Sequence, residues 1–299
     1  MARGPVETMN CTIAIGGAAH GGAQSAISLC QRKFEGSLAA TGDELGFPYE
    51  RPPFSKEYLA ENKPFEASLF RPEKFRDERD AMMILSTRSM AVHTDRKIIL
   101  TDGDHEIGHL KLIRAIGAIP CQPPLSGFDL DGIHYVRTRT DVDGMIAMRD
   151  ADPDTILVGG GYIGWEVTAV LRKPGKIVIM LEALDSVPAR TAGEPLSWFY
   201  KAEHVSQGEQ ILLERNIAGA FGKAGKVAGE RLPDGTEILA QMVIVGMGVG
   251  LALQRSIDLS TEGENGVKDY VPSKNLIESR TEIPPDKRKA ATMLKALLT

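Results

Sequence analysis

Along the 299-residue chain, hydrophobic positions switch repeatedly between a strand period and a helix period. "CTIAIG" (residues 11–16) is a short apolar run of strand type. "AQSAISLCQRK" (23–33) then spaces its apolar residues as a helix does. "GSLAATGDE" (36–44) predicts a second strand ending in acids, and "FPYERPPFSKEYL" (47–59) a Pro-rich loop and a helix start capped by Ser55. "AMMILSTRSMAVHTDRKIILTDG" (81–103) predicts a strand and a hairpin closing at Asp102–Gly103, and "KLIRAIGAIP" (111–120) a further strand running into a turn. "PPLSGFDLDGIHYV" (123–136) has the composition of a linker, which places a domain boundary near residues 118–125.

A second cycle follows. "TRTDVDGMIAMRDA" (138–151) predicts a capped helix. "TILVGGGYIGWEVTAVLRKPGKIVIMLEALD" (155–185) reads as strand, glycine turn, helix, strand, with Pro174 where the helical pattern stops. "FYKAEHVSQGEQILLE" (199–214) predicts a helix and a strand, and 225–250 a meander turning at "PDG" and returning in a buried strand. Beyond residue 250 the pattern weakens. The fold class expected is α/β, with two Rossmann-like dinucleotide-binding domains. Residues 1–118 form the first, 119–247 the second, and 248–299 the remnant of a C-terminal part.

Composition narrows the functions. Apolar residues are 42% and charged residues 25%, ordinary for a soluble globular chain, and the net charge of −5 leaves no footprint for nucleic acid. The tail 271–299 is locally basic (Lys274, Arg280, Lys287, Arg288, Lys289 and Lys295), either as a solvated terminal helix or as a docking patch for an acidic partner. No run has the length of a membrane span and no signal peptide opens the chain, so a cytoplasmic location is expected. The three cysteines, Cys11, Cys30 and Cys121, form neither a C-x-x-C pair nor a metal-ligand cluster, as in a reducing compartment.

The chemistry sits in two glycine turns. In Gly159-x-Gly161-x-x-Gly164 the first glycine permits the turn, the second admits a pyrophosphate to the backbone, and the third lets helix and strand pack. The helix start offers N–H groups and a positive dipole end to phosphate. Glu182 follows Gly164 by 18 positions, at the end of the next strand, where a carboxylate takes ribose hydroxyls. Ala183 and Leu184 follow it, with no cation for a 2′-phosphate, so NADH is expected rather than NADPH. The earlier turn reads Gly17-x-Ala19-x-x-Gly22, with Gly21 beside the third glycine and Asp43 at the end of the following strand.

With "PYERPPFSKEYL" (48–59), "HYVRTRTDVD" (134–143), "VGGGYIGWE" (158–166), "LEALDSVPAR" (181–190) and "IVGMGVG" (244–250), the chain resembles the flavin-dependent pyridine-nucleotide reductases. Within them it is most similar to the NADH-dependent ferredoxin reductases of bacterial oxygenase systems. The resemblance implies FAD at the first turn, with Gly17, Gly21 and Gly22 at its pyrophosphate and Asp43 at its ribose. It implies Arg51, Lys56 and Arg137 on the flavin side, with Lys56 near the isoalloxazine ring, and the backbone of Ser89 at the adenine end. Gly159, Gly161, Ile163, Gly164, Glu182 and Arg190 hold NADH in this scheme, and Gly248 of "IVGMGVG" joins the cofactor-binding set. Glu166 sits near the nicotinamide and pairs with Lys56; these two are the expected catalytic residues. The cofactors carry the hydride chemistry, so no protein nucleophile is required.

Disulfide reductases of this fold place a redox cysteine pair just after the first βαβ unit, whereas residues 40–60 hold no cysteine. Electrons are therefore not expected to leave through a thiol near that position, and a docked one-electron carrier, a small iron–sulfur ferredoxin, fits better. The chain departs from the resemblance at Ala19, at Ile116 and Ile119 of "LIRAIGAIP", and in the C-terminal third, where no Gly-Asp pair follows residue 104. Its end resembles the family's extreme C-terminal tail joined to residue 270 with the intervening segment missing. Two other readings stay open: an oxidase or quinone reductase on the same scaffold, and a truncated protein that binds NAD(H) without turnover.

Overall fold

The computed structural model describes residues 8–70, 81–103, 105–151, 153–172, 177–186, 194–252, 262–263 and 266–267. The chain divides into two compact units. The first takes Met1–Glu50, Leu69–Ala118 and Leu251–Thr299; the second takes Arg51–Ser68 and Ile119–Gly250.

In the first unit, β1 (Thr8–Gly16) leads through a glycine turn into α1 (His20–Gln31), and the chain returns as β2 (Leu38–Thr41). Then come β3 (Ala81–Ile84), β4 (Ser89–His93), β5 (Ile98–Thr101) and β6 (Glu106–Arg114), and the sheet order is β3-β2-β1-β6-β5-β4. The pairings of β3 with β2, β2 with β1 and β1 with β6 are parallel; β5 runs antiparallel to both β6 and β4. Ile13, Ala14 and Ile15 of β1 are fully buried, as expected of a parallel strand flanked on both sides. Ile13 and Ile15 pack with Leu29 and Cys30 of α1, so Cys30 behaves as a small core hydrophobe. Cys11, Ala14, Val92, Ile99 and Ile107 form a second cluster. The hairpin differs from its sequence reading. β4 and β5 are joined across Thr94–Lys97, whereas Asp102–Gly103 connects β5 to β6, where the Asp102 carboxylate accepts the Arg88 N–H (3.1 Å).

The chain leaves this unit along the short strand β7 (Ala118–Pro120). The second unit contains β8 (Ile133–Tyr135), α2 (Arg139–Arg149), β9 (Thr155–Val158), α3 (Tyr162–Leu171), β10 (Val178–Leu181), α4 (Glu194–Ser206) and β11 (Gln210–Leu212). A meander of β12 (Gly219–Lys223), β13 (Lys226–Arg231) and β14 (Glu237–Leu239) precedes β15 (Met242–Val245). The parallel sheet runs β11-β10-β9-β15-β8. Its edge strand β8 lies inside the segment that composition alone assigns to a linker; three residues of pattern are too few to stand out beside Pro and Gly. Thr138 caps α2 in a capping box: its hydroxyl accepts the Asp141 N–H (3.2 Å) and Asp141 accepts the Thr138 N–H (2.7 Å). Ile156, Val158, Leu181, Val243 and Val245 join Ala220, Val227 and Leu232 of the meander region in one core cluster.

The segment Arg51–Ser68 belongs to this second unit. Pro52–Ser55 is a single 3₁₀ turn, with Pro53, Phe54 and Ser55 buried. Phe54 stacks on Tyr58 (5.1 Å between centroids) and Tyr58 meets Phe65 (6.0 Å). The Tyr58 hydroxyl donates to Asp143 of α2, and burial, followed by that carboxylate, pushes its pKa above the ordinary phenol value. Arg149, at the other end of α2, donates to the Leu59 carbonyl and to Glu61. Ser55 caps no helix, contrary to the sequence reading, because the chain turns too tightly here to continue as an α-helix.

Candidate active site

The turn after β9 shows which glycines the fold needs and which it leaves open. Gly159 has φ +103°, and an added Cβ would lie 2.6 Å from the Gly246 carbonyl oxygen. At Gly164 an added Cβ would lie 2.7 Å from the Gly159 oxygen. Both positions exclude a side chain on internal grounds. Gly161 differs: an added Cβ meets nothing within 4 Å, yet this residue opens α3 and no side chain caps it. The chain has kept bare backbone where its own packing does not require it. A pyrophosphate against a helix N-terminus requires that clearance.

Glu182, just past β10, is fixed beside the turn. Its Oε2 accepts the Gly160 N–H (2.7 Å) and its Oε1 the Leu184 N–H (2.9 Å). A carboxylate oxygen keeps a further lone pair after one such bond, so Glu182 can still accept from a ribose. Ile163 is part-exposed on the first turn of α3, and Gly248 has φ +98° with open space around it. Arg190 lies outside the described residues.

The first unit's turn uses its glycines mostly internally. Gly17 has φ +103° and an added Cβ would sit 2.3 Å from the Ala115 oxygen; at Gly22 it would sit 1.7 Å from the Gly17 oxygen. At Gly21 it makes only ordinary contact, 3.7 Å from Ala115 Cβ. Ala19 opens α1 without a side-chain cap, so the N-terminus is available to an anion, but its methyl occupies the place that Gly161 leaves bare in the other turn. Asp43 follows β2 and meets Arg88 (3.4 Å) at a half-exposed pair. The Ser89 hydroxyl bonds that of Thr41 (2.7 Å), so this side chain is engaged within the unit, and Ser89 pairs with Thr101 across β4 and β5. Gly17, Gly21, Gly22 and Asp43 thus gather beyond the carboxyl ends of parallel strands, where open α/β sheets bind ligands.

Lys56 and Glu166 meet. Lys56 Nζ lies 2.7 Å from Glu166 Oε2, with the side chains 42% and 31% exposed. Lys56 also donates to the Pro52 carbonyl (3.3 Å). A contact absent from the sequence reading completes the group: the buried Ser55 hydroxyl donates to the same Glu166 oxygen. Its only signal in sequence is adjacency to Lys56. The Arg51 guanidinium donates to the Arg137 carbonyl, bringing two more of the expected residues together. The second unit therefore holds a fixed ammonium–carboxylate pair, Glu166 on the helix that begins at the open glycine and Lys56 on the turn after Pro52–Ser55. Such a pair can place a positive charge against a ligand while its partner carboxylate keeps it from being a lone charge.

The family model described as pyridine nucleotide-disulphide oxidoreductase matches residues 11–271. A ferredoxin–NAD(P)(+) reductase from a Sphingomonas species is 42% identical over 256 residues, 85% of this chain and 62% of that protein. The ferredoxin reductase subunit of 5,5′-dehydrodivanillate O-demethylase from a Sphingobium species is 39% identical, over 86% of this chain and 62% of that protein. Among solved structures, the ferredoxin reductase for the CYP199A2 system of Rhodopseudomonas palustris superposes with a TM-score of 0.75 at 30% identity, covering 80% of this chain and 59% of that one. The chain thus spans about three fifths of the length of these relatives.

Proposed function

The chain belongs to the pyridine nucleotide-disulphide oxidoreductase family, and on that premise we propose that it takes part in electron transfer from NADH, by way of FAD, to a small iron–sulfur ferredoxin in the cytoplasm. The named relatives are ferredoxin reductases, which supports the acceptor class. The observation that carries the reading is the Lys56–Glu166 pair, because Lys56 is held by a carboxylate on the helix that begins at Gly161.

In this reading Gly159, Gly161, Ile163, Gly164, Glu182 and Gly248 hold NADH, and Arg190 joins them on the resemblance alone. Gly17, Gly21, Gly22, Asp43 and the backbone of Ser89 hold FAD. FAD supplies the exchange between two-electron donors and one-electron acceptors when it is bound. Lys56 provides the positive charge at the reacting end, Glu166 neutralises and orients it, and Arg51 holds the Arg137 backbone. Among the described residues no helix is long and apolar enough to cross a membrane.

The test is the visible spectrum of the purified protein before and after anaerobic NADH, followed by a [2Fe–2S] ferredoxin at low salt. Yellow protein bleached by NADH, with its colour restored as the ferredoxin is reduced, is the expected result. A colourless protein that stays colourless with added FAD overturns the reading and leaves a nucleotide-binding protein. A bleached protein that cannot reduce ferredoxin overturns the acceptor.

A further inference from the structure

The glycine turn of the second unit is held by a side chain that the proposed function does not use. Trp165 is 2% exposed, and its indole Nε1–H donates to the Gly160 carbonyl at 3.1 Å. In a trans peptide, the C=O and the N–H that follows it point in opposite directions. Holding the Gly160 carbonyl inward on the indole therefore turns the Gly161 N–H outward, at the residue where an added Cβ meets nothing within 4 Å. The N–H of Gly160 itself is donated to Glu182 (2.7 Å), and the backbone N–H of Trp165 bonds the Gly161 carbonyl (3.2 Å). The three peptides from Gly159 to Tyr162 are thus each held by one hydrogen bond, with the Gly161 N–H facing out.

The indole is itself braced. The His204 ring meets it edge-on at 4.1 Å, and Tyr200 lies 6.2 Å away. His204 Nδ1 lies 2.7 Å from Oε2 of Glu209, whose side chain is 2% exposed. A carboxylate only accepts, so Nδ1 carries the proton and the imidazole has one orientation. Among the described residues, Glu209 bonds His204, His204 packs on Trp165, and Trp165 bonds the turn.

We infer that Trp165 is a positioning residue for the pyrophosphate of a bound dinucleotide, acting through the Gly160–Gly161 peptide, with His204 and Glu209 as its brace. This rests on the proposed use of the turn by NADH. A ligand-facing peptide released from a buried hydrogen bond loses affinity by about tenfold. Loss of one aromatic face from the brace costs about threefold.

The experiment is calorimetric titration of the full chain with NADH, ADP-ribose and adenosine; only the first two contain a pyrophosphate. Trp165→Phe keeps a ring and removes the donor. It is expected to weaken NADH and ADP-ribose about tenfold and leave adenosine unchanged. His204→Leu is expected to weaken the same two ligands about threefold, and it decides the matter if circular dichroism shows Trp165→Phe unfolded. Equal binding by variants and wild type overturns the inference alone. So does an equal loss for adenosine and ADP-ribose, which marks a general structural role. A wild-type chain that binds neither NADH nor ADP-ribose overturns both the proposed function and this inference.

Discussion

Glu230 lies on β13, the central strand of the meander, between Ala220 of β12 and Ile238 of β14. It is 0% exposed, and neither carboxylate oxygen has a hydrogen-bond partner among the described residues. Burial alone, with no compensating cation, pushes its pKa from the ordinary 4.5 to about 7. The sign follows directly. Below pH 4.5 the group is protonated folded and unfolded, and its ionisation costs the fold nothing. Between 4.5 and about 7 the unfolded chain gives up the proton while the folded chain keeps it, so stability falls as pH rises. Above about 7 the full cost is present. At ~1.4 kcal/mol per pH unit, the rise comes to roughly 3 kcal/mol.

Glu230→Leu removes the charge and fills a similar volume at the position paired with Ala220 and Ile238. Trp165 and Trp198 are the chain's two tryptophans, and both lie in the second unit, so intrinsic fluorescence follows the unfolding of that unit. Melting curves of wild type and Glu230→Leu between pH 5 and pH 8 are the assay. At roughly 2–4 °C per kcal/mol, the variant should melt roughly 6–12 °C above wild type at pH 8. The difference should shrink steadily toward pH 5. All other ionisable groups are common to both proteins and cancel. A difference that is constant across this range would refute the reasoning, since it would mean that Glu230 does not titrate on unfolding.

Three further outcomes are expected. Gly161→Ala should weaken NADH about tenfold while shifting stability by less than about 1 kcal/mol, because the added methyl meets only ligand space, whereas Gly22→Ala should cost about 1–3 kcal/mol in urea unfolding by pushing against the Gly17 carbonyl. Lys56→Met should slow bleaching by NADH at least about tenfold in stopped flow with FAD content unchanged, and Glu166→Gln should slow it less, because the ammonium remains. Thr138→Ala should destabilise the second unit by about 1 kcal/mol through loss of the capping box, read as a lower urea midpoint at constant m.

Much of this molecule is legible from its letters because the responsible forces are local. A Cβ at Gly164 collides with the Gly159 carbonyl five residues away, so strand, turn and helix are written into one short stretch. The Thr138–Asp141 box closes within four residues. The Lys56–Glu166 pairing came from family resemblance rather than spacing, since nothing in the intervening chain marks it.

Other features depend on residues that meet only after folding. Ser55 reads as a helix cap by its neighbours, but its hydroxyl finds Glu166, 111 positions away. Asp102–Gly103 has the strongest hairpin signal in its region, yet sheet pairing puts the β4–β5 turn at Thr94–Lys97 and uses Asp102 to bind Arg88. Glu230 looks like a surface charge between Gly229 and Arg231 until the meander buries it. Trp165 reads as one more apolar residue of a helix, and only the fold brings His204 and Glu209 against it. Sequence determined the places where backbone sterics and short-range hydrogen bonds leave one choice; tertiary structure decided which distant polar groups became partners, because desolvation is set by everything that packs around a group and not by its neighbours in the chain.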